Sequence, residues 1–294
     1  MVWLIYIKLH KAAPAQCEYK LTLIRLPDDL KSSLKLEIFR RINQAGTPLS
    51  PQDIRLSYYG DCDTVTFIRI AGIYDVKRQG SERMIESALE KYDLKWPWED
   101  FDDDMKNEWK SWWENKLTST GQTASEMFCW YLIAIYRDQV DEILSNQKYL
   151  AKELRAAFSN KVEDVADIFC AQLHKESENS EEERLFNLDD LEKIHFQNFA
   201  NWFNLLRVSL QSAFVVTKFR RLSFLIAALS NYSTEDVDDD KLGAIEAIVR
   251  KPRASNQKFQ IEIPEAKGKW GGKKGVNAQI ESYYDIIEKI INEN

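Results

Sequence analysis

The sequence predicts a mainly α-helical protein carrying a small α/β segment at its N-terminus. Three observations predict it. From about residue 60 onward, apolar residues recur at three- and four-residue spacing in one segment after another, the period of helices with one buried face. Near the N-terminus the run Tyr19 to Leu26, with Leu21, Thr22, Leu23 and Ile24, favours a strand instead, and Pro27-Asp28-Asp29 closes it as a turn. A hydrophobic content of 44% with 12% aromatics over 294 residues is ample for a sizeable core.

Taken in order, Met1 to Leu9 has the bulk of a buried strand or a short helix, and so brief a run does not separate the two. Leu34, Ile38 and Ile42 then mark an amphipathic helix, with Phe39 beside the stripe. Its end falls near Ala45: Gly46 accepts a left-handed C-terminal conformation, and Pro48 pushes its neighbour out of the helical region. A second helix starts almost at once. Ser50 suits the N-cap, Pro51 the first helical position and Asp53 the capping-box acid, while Leu49 can staple to Ile54. The start of that helix presents unpaired backbone amides with Arg40, Arg41, Arg55 and Asn43 close in sequence, a combination able to hold a phosphate. The alternative is a capped corner whose amides are satisfied by Ser50 and Asp53 and whose arginines are solvated.

Beyond Gly60, the acidic turn Asp61-Cys62-Asp63 leads to predicted helices over Thr64 to Tyr74 and Gly80 to Tyr92. Pro97 breaks the chain between Trp96 and Asp104, and the consecutive acids Asp102, Asp103 and Asp104 read as a solvated helix start rather than as converging metal ligands. Further helices are expected over Met127 to Leu144, Tyr149 to Phe158, Val162 to Leu173, Leu188 to Val215, Phe219 to Leu229, Leu242 to Val249 and Asn277 to Ile291. The acidic runs 176–183 and 234–240 are expected as exposed loops between them.

The pattern Phe39-x-x-x-Asn43, followed by Gly46-Thr47-Pro48-Leu49-Ser50 and Gln52-Asp53-Ile54-Arg55, resembles the second signature of the GmrSD-type restriction endonuclease N-terminal family. Members are phage-defence proteins with a ParB/sulfiredoxin-like nucleotidase module, often coupled to a nuclease that cuts modified DNA. The resemblance covers roughly Arg25 to Tyr74. It implies a partial ParB/sulfiredoxin-like segment over residues 1–60 and a helical domain over 61–294. It also implies nucleotide contacts from Phe39, Arg40, Arg41, Asn43 and Arg55, with a nucleotide triphosphate and Mg as the family's ligands. The family's first signature, an Asp-Gly-Gln-Gln-Arg loop, does not occur in these 294 residues, nor does its downstream histidine nuclease motif. The chain therefore reads as a family member without its N-terminal catalytic half, inactive alone and dependent on a polypeptide that supplies the missing loop. Self-association through surface near Leu21, Ile24 and Phe39 is a further expectation.

Six of the nine tryptophans, Trp96, Trp98, Trp109, Trp112, Trp113 and Trp130, fall in one short region. They read either as an aromatic pocket for a base or peptide, or as core, and the helical spacing of Trp109, Trp112 and Trp113 favours core. The net charge of −7 argues against wholesale nucleic-acid binding, yet Arg250, Lys251, Arg253, Lys258, Lys267, Lys269, Lys273 and Lys274 form one basic stretch around Trp270. Such a stretch suits a phosphate backbone with a stacked base, for which DNA is the expected partner; the alternative is a plain surface loop. Cys17, Cys62, Cys129 and Cys170 lack paired spacing and read as buried reduced thiols. His10, His174 and His195 lie apart, and no Walker loop, nucleophile elbow or His-Glu-x-x-His motif gives an independent case for catalysis. With no signal-peptide pattern and no apolar run of bilayer length, a cytoplasmic protein is expected, with no membrane partner and no cofactor within the chain as given.

Overall fold

The computed structural model describes Ile38 and residues 51–72, 81–99, 101–107, 124–138, 163–180, 183–216, 219–250 and 273–292. The chain divides into two compact units, Met1–Thr47 and Pro48–Asn294. The helix starting at Pro51 belongs to the second unit, where Gln52, Arg55 and Leu56 are buried. In the first unit only Ile38 is described, and it is helical, as its place in the apolar stripe predicts. The expected strands over Met1 to Leu9 and Tyr19 to Leu26 lie outside the described residues.

Every regular element among the described residues of the second unit is helical. Its helices are α1 (Pro51–Tyr58), α2 (Asp63–Ala71), α3 (Ser81–Tyr92), α4 (Ala124–Ile135) and α5 (Glu163–Glu176). A helical turn (Leu188–Asp190) and a π-helical segment (Leu191–Phe196) then run straight into α6 (Gln197–Val216). The last three are α7 (Phe219–Leu229), α8 (Asp239–Arg250) and α9 (Lys273–Asn292).

Two helices form the centre. Every residue from Met127 to Ala134 in α4 is buried, as is every residue from Leu222 to Leu229 in α7, and the two pack more extensively than any other pair. A helix apolar on all sides must be enclosed by others, and each fully buried large apolar side chain contributes about 1.5–3 kcal/mol. Ser223, polar but wholly buried, donates its hydroxyl to the Met127 carbonyl at 2.8 Å, so its place at the α4–α7 contact leaves no unmet donor. Around this pair, α2 and α5 pack on α4, while α9 and α6 pack on α7 and α8 bridges α6 and α9.

An aromatic cluster joins α2 to the π-helical segment. Phe67, Trp98, Phe128, Phe196 and Phe199 meet mostly edge to face, with ring centroids between 5.1 and 6.3 Å apart, the arrangement that ring quadrupoles favour. Trp98 lies in the Pro97 turn rather than on a helix, and its indole N–H donates to the Ala71 carbonyl at 2.8 Å, satisfying an orphan acceptor at the end of α2. Trp98 and Trp130 are therefore core residues, whereas Trp109, Trp112 and Trp113 lie outside the described residues.

The acidic runs differ from expectation in one respect. Asp102 accepts the Met105 amide at 2.7 Å and starts a helical stretch at 103–107, as its sequence position suggests. In the stretch 234–240, however, Ser233 and Asp236 close a reciprocal capping box, Asp238 accepts the Lys241 amide, and Asp239 and Asp240 occupy the first turn of α8. These acids start a helix instead of filling a loop, because carboxylates are favoured beside free N-terminal amides.

Candidate functional site

Of the residues expected to touch a nucleotide, Phe39, Arg40, Arg41 and Asn43 lie outside the described residues. Arg55 is described, and its position differs from a surface phosphate ligand. It lies on the inward side of α1 with only 1% of its surface exposed. Nε contacts Asp167 Oδ1 of α5 at 2.6 Å, and Nη1 donates to Gln52 Oε1 at 2.9 Å. Nη2 of Arg55 and Nε2 of Gln52 have no hydrogen-bond partner among the described residues. The three-residue offset of Gln52 and Arg55 puts both on one face of α1, and that face packs against α5.

The electrostatics follow from this enclosure. Burial works against the guanidinium charge, but Asp167, then the Cys170 and Cys129 thiols and Glu126, favour it, and the net effect raises the pKa of Arg55. Nearby, Tyr59 is pushed well up by burial, with Asp167 adding to the shift. Cys170 is raised by its hydrogen bond with Cys129 and by burial, and burial pushes Cys62 up to about 12. Cys62, Cys129 and Cys170 are all free and buried, as the scattered spacing predicts. With their pKa values raised, Cys62 and Cys170 carry little thiolate near neutral pH and are poor nucleophiles.

This is chemistry for holding helices together. A permanently charged arginine, fixed by a carboxylate from a residue 112 positions away, locks α1 to α5. A second latch lies at the neighbouring corner. Arg184 contacts Asp63 at 2.6 Å and donates to the Ser177 carbonyl at 2.9 Å, while His174 pairs with Asp61 at 2.5 Å. The acidic turn 61–63 therefore receives an imidazole from the end of α5 and a guanidinium from the loop after it.

Sequence reasoning missed Asp167, although its signal is present. It is the lone acid inside the apolar run Val165-Ala166-Asp167-Ile168-Phe169, and a carboxylate in a buried stripe requires a partner. Of the basic stretch, Arg250 closes α8 and Lys273 and Lys274 open α9, whereas Lys251, Arg253, Lys269 and Trp270 lie outside the described residues. Among the described residues, no group of three or more His, Cys, Asp or Glu side chains is placed to hold a metal ion. No helix there is long and apolar enough to cross a membrane. No family model, curated protein or solved structure matches the chain.

Proposed function

We propose that this protein is a phage-defence relative of the GmrSD-type nucleotidases, carrying the second half of a nucleotide site and a helical body that presents it. In this reading residues 1–60 hold part of a ParB/sulfiredoxin-like α/β fold. Phe39, Arg40, Arg41 and Asn43 contact a nucleotide triphosphate with Mg, and another polypeptide contributes the Asp-Gly-Gln-Gln-Arg loop. Arg55 supports the corner from within through Asp167. The observation that supports the reading is α1: it begins at Pro51, where the signature requires a helix to restart, and its signature residues Gln52 and Arg55 are built into the core. The basic stretch from Arg250 to Lys274, set in an otherwise acidic chain, supports a second reading as a DNA-binding element.

The first test is turnover. The purified chain is expected to hydrolyse no nucleotide triphosphate by itself, and to do so when mixed with a polypeptide bearing the Asp-Gly-Gln-Gln-Arg loop, with Asn43→Ala abolishing the gain. Hydrolysis by the chain alone that disappears in Asn43→Ala would show the site to be complete here and refute the division of labour.

A further inference from the structure

We propose that the π-helical segment Leu191–Phe196 is an acid-sensitive hinge latched by the hydrogen bond between His195 and Tyr136. The two side chains meet at 2.8 Å between the imidazole Nε2 and the phenol oxygen, joining the segment to the residue that follows α4. Phe186 closes over them, its ring centroid 4.1 Å from that of Tyr136 and 6.3 Å from that of His195. A π-helix carries one more residue per turn than the α-helix wants and is rarely held without a local reason. Within it Ile194 is 49% exposed while Leu191 and Phe196 stay buried.

The groups around the ring decide how it responds to acid. From its own turn, Asp190 attracts a proton to His195, but the Asp190 carboxylate already accepts from Asn187 Nδ2 at 2.8 Å. Asp189 and Lys193 pair with each other, and Glu192 accepts the Lys95 amide from the turn after α3. From the α4 side, Arg137 is engaged by Glu281 at 2.8 Å, and from the preceding loop Arg184 is engaged by Asp63. Tyr136 stays neutral, its own pKa raised by burial. Burial dominates Asp190 and lowers the pKa of His195. The folded segment thus favours the neutral ring. Stability from this group is complete above the unfolded histidine value of about 6.5 and declines as pH falls below it toward the depressed folded value. Protonation favours a state in which the imidazolium reaches water, and leaving the latch uncovers Phe186.

Hydrogen exchange on the intact chain at pH 7.5 and 5.5, corrected for intrinsic rates, tests the hinge. Amide protection over 188–196 is expected to fall by up to about tenfold relative to α7, the ratio of protonated to neutral histidine one unit below its free pKa. In His195→Gln that pH dependence should vanish. Equal protection at both pH values, or the same loss in His195→Gln, overturns the hinge. Should the variant fail to fold, an NMR titration of His195 in the wild-type chain decides: a midpoint below 6.5 is required, and one at or above it refutes the proposal.

Discussion

The pairing of Arg55 with Asp167 sets the character of the core at the level of single residues. Both side chains are essentially excluded from water, at 1% and 5% exposure, so neither charge can be hydrated if the other is removed. Asp167→Leu should therefore cost about 3–5 kcal/mol by urea unfolding, since it strands a guanidinium that burial already disfavours. The paired change Arg55→Met with Asp167→Leu should recover most of that loss, because desolvating two charges offsets much of their attraction. If the double variant is no more stable than Asp167→Leu alone, the ion pair is not what holds α1 on α5. In the sequence, Arg55 reads as a surface residue, either a phosphate ligand or a solvated side chain, because a short helix leaves too few positions to fix which face is inward. The carboxylate that decides its direction lies 112 residues later, beyond any local pattern.

At the level of elements, closeness of backbones matters more than periodicity. The end of α2 meets the start of α4 at Gly72, where an added Cβ would stand 2.5 Å from the Ser125 amide nitrogen and 2.8 Å from its Cβ. A backbone atom cannot move aside as a side-chain tip can, so Gly72→Ala should destabilise by about 1–3 kcal/mol through overpacking. Gly243 in α8 has nothing within 4 Å of the same position. Gly243→Ala should raise stability by about 0.4–1 kcal/mol, since alanine restricts the unfolded chain and suits a helix interior. Opposite signs for these two substitutions in thermal or urea unfolding would check the contact; a neutral Gly72→Ala would remove it. The helices were legible wherever an apolar stripe ran unbroken: Phe219–Leu229 has the same bounds in sequence and structure. The expected helix from Leu188 to Val215 is present as one unbroken helical run, but it holds a π-helical segment at Leu191–Phe196 that the stripe does not show, because a local change to i→i+5 bonding shifts a stripe without erasing it. The acidic starts of α8 read as loop for a related reason, since capping residues and loop residues are drawn from the same small polar set.

Across the whole molecule, charge is distributed more unevenly than the net value of −7 suggests. Acidic side chains cluster in the described turns at Asp61 and Asp63 and at the start of α8, whereas Arg250 closes α8 and Lys273 and Lys274 open α9 at the two ends of the basic stretch. Composition shows that excess of lysine and arginine at once; what lies opposite it in space is a long-range property that no local pattern encodes. If the basic stretch contacts a phosphate backbone, each neutralised phosphate releases counterions and the affinity falls steeply with salt. A gel shift with duplex or single-stranded DNA should then weaken by about tenfold or more between 50 and 200 mM salt for even a few contacts. Replacing Lys269, Trp270, Lys273 and Lys274 with alanine should abolish it, and replacing Trp270 alone should weaken single-stranded binding more than duplex binding, because only unpaired bases stack on an indole. The net negative chain supplies no general attraction to hide such a loss, so a shift that survives the quadruple replacement places nucleic-acid binding elsewhere in the protein.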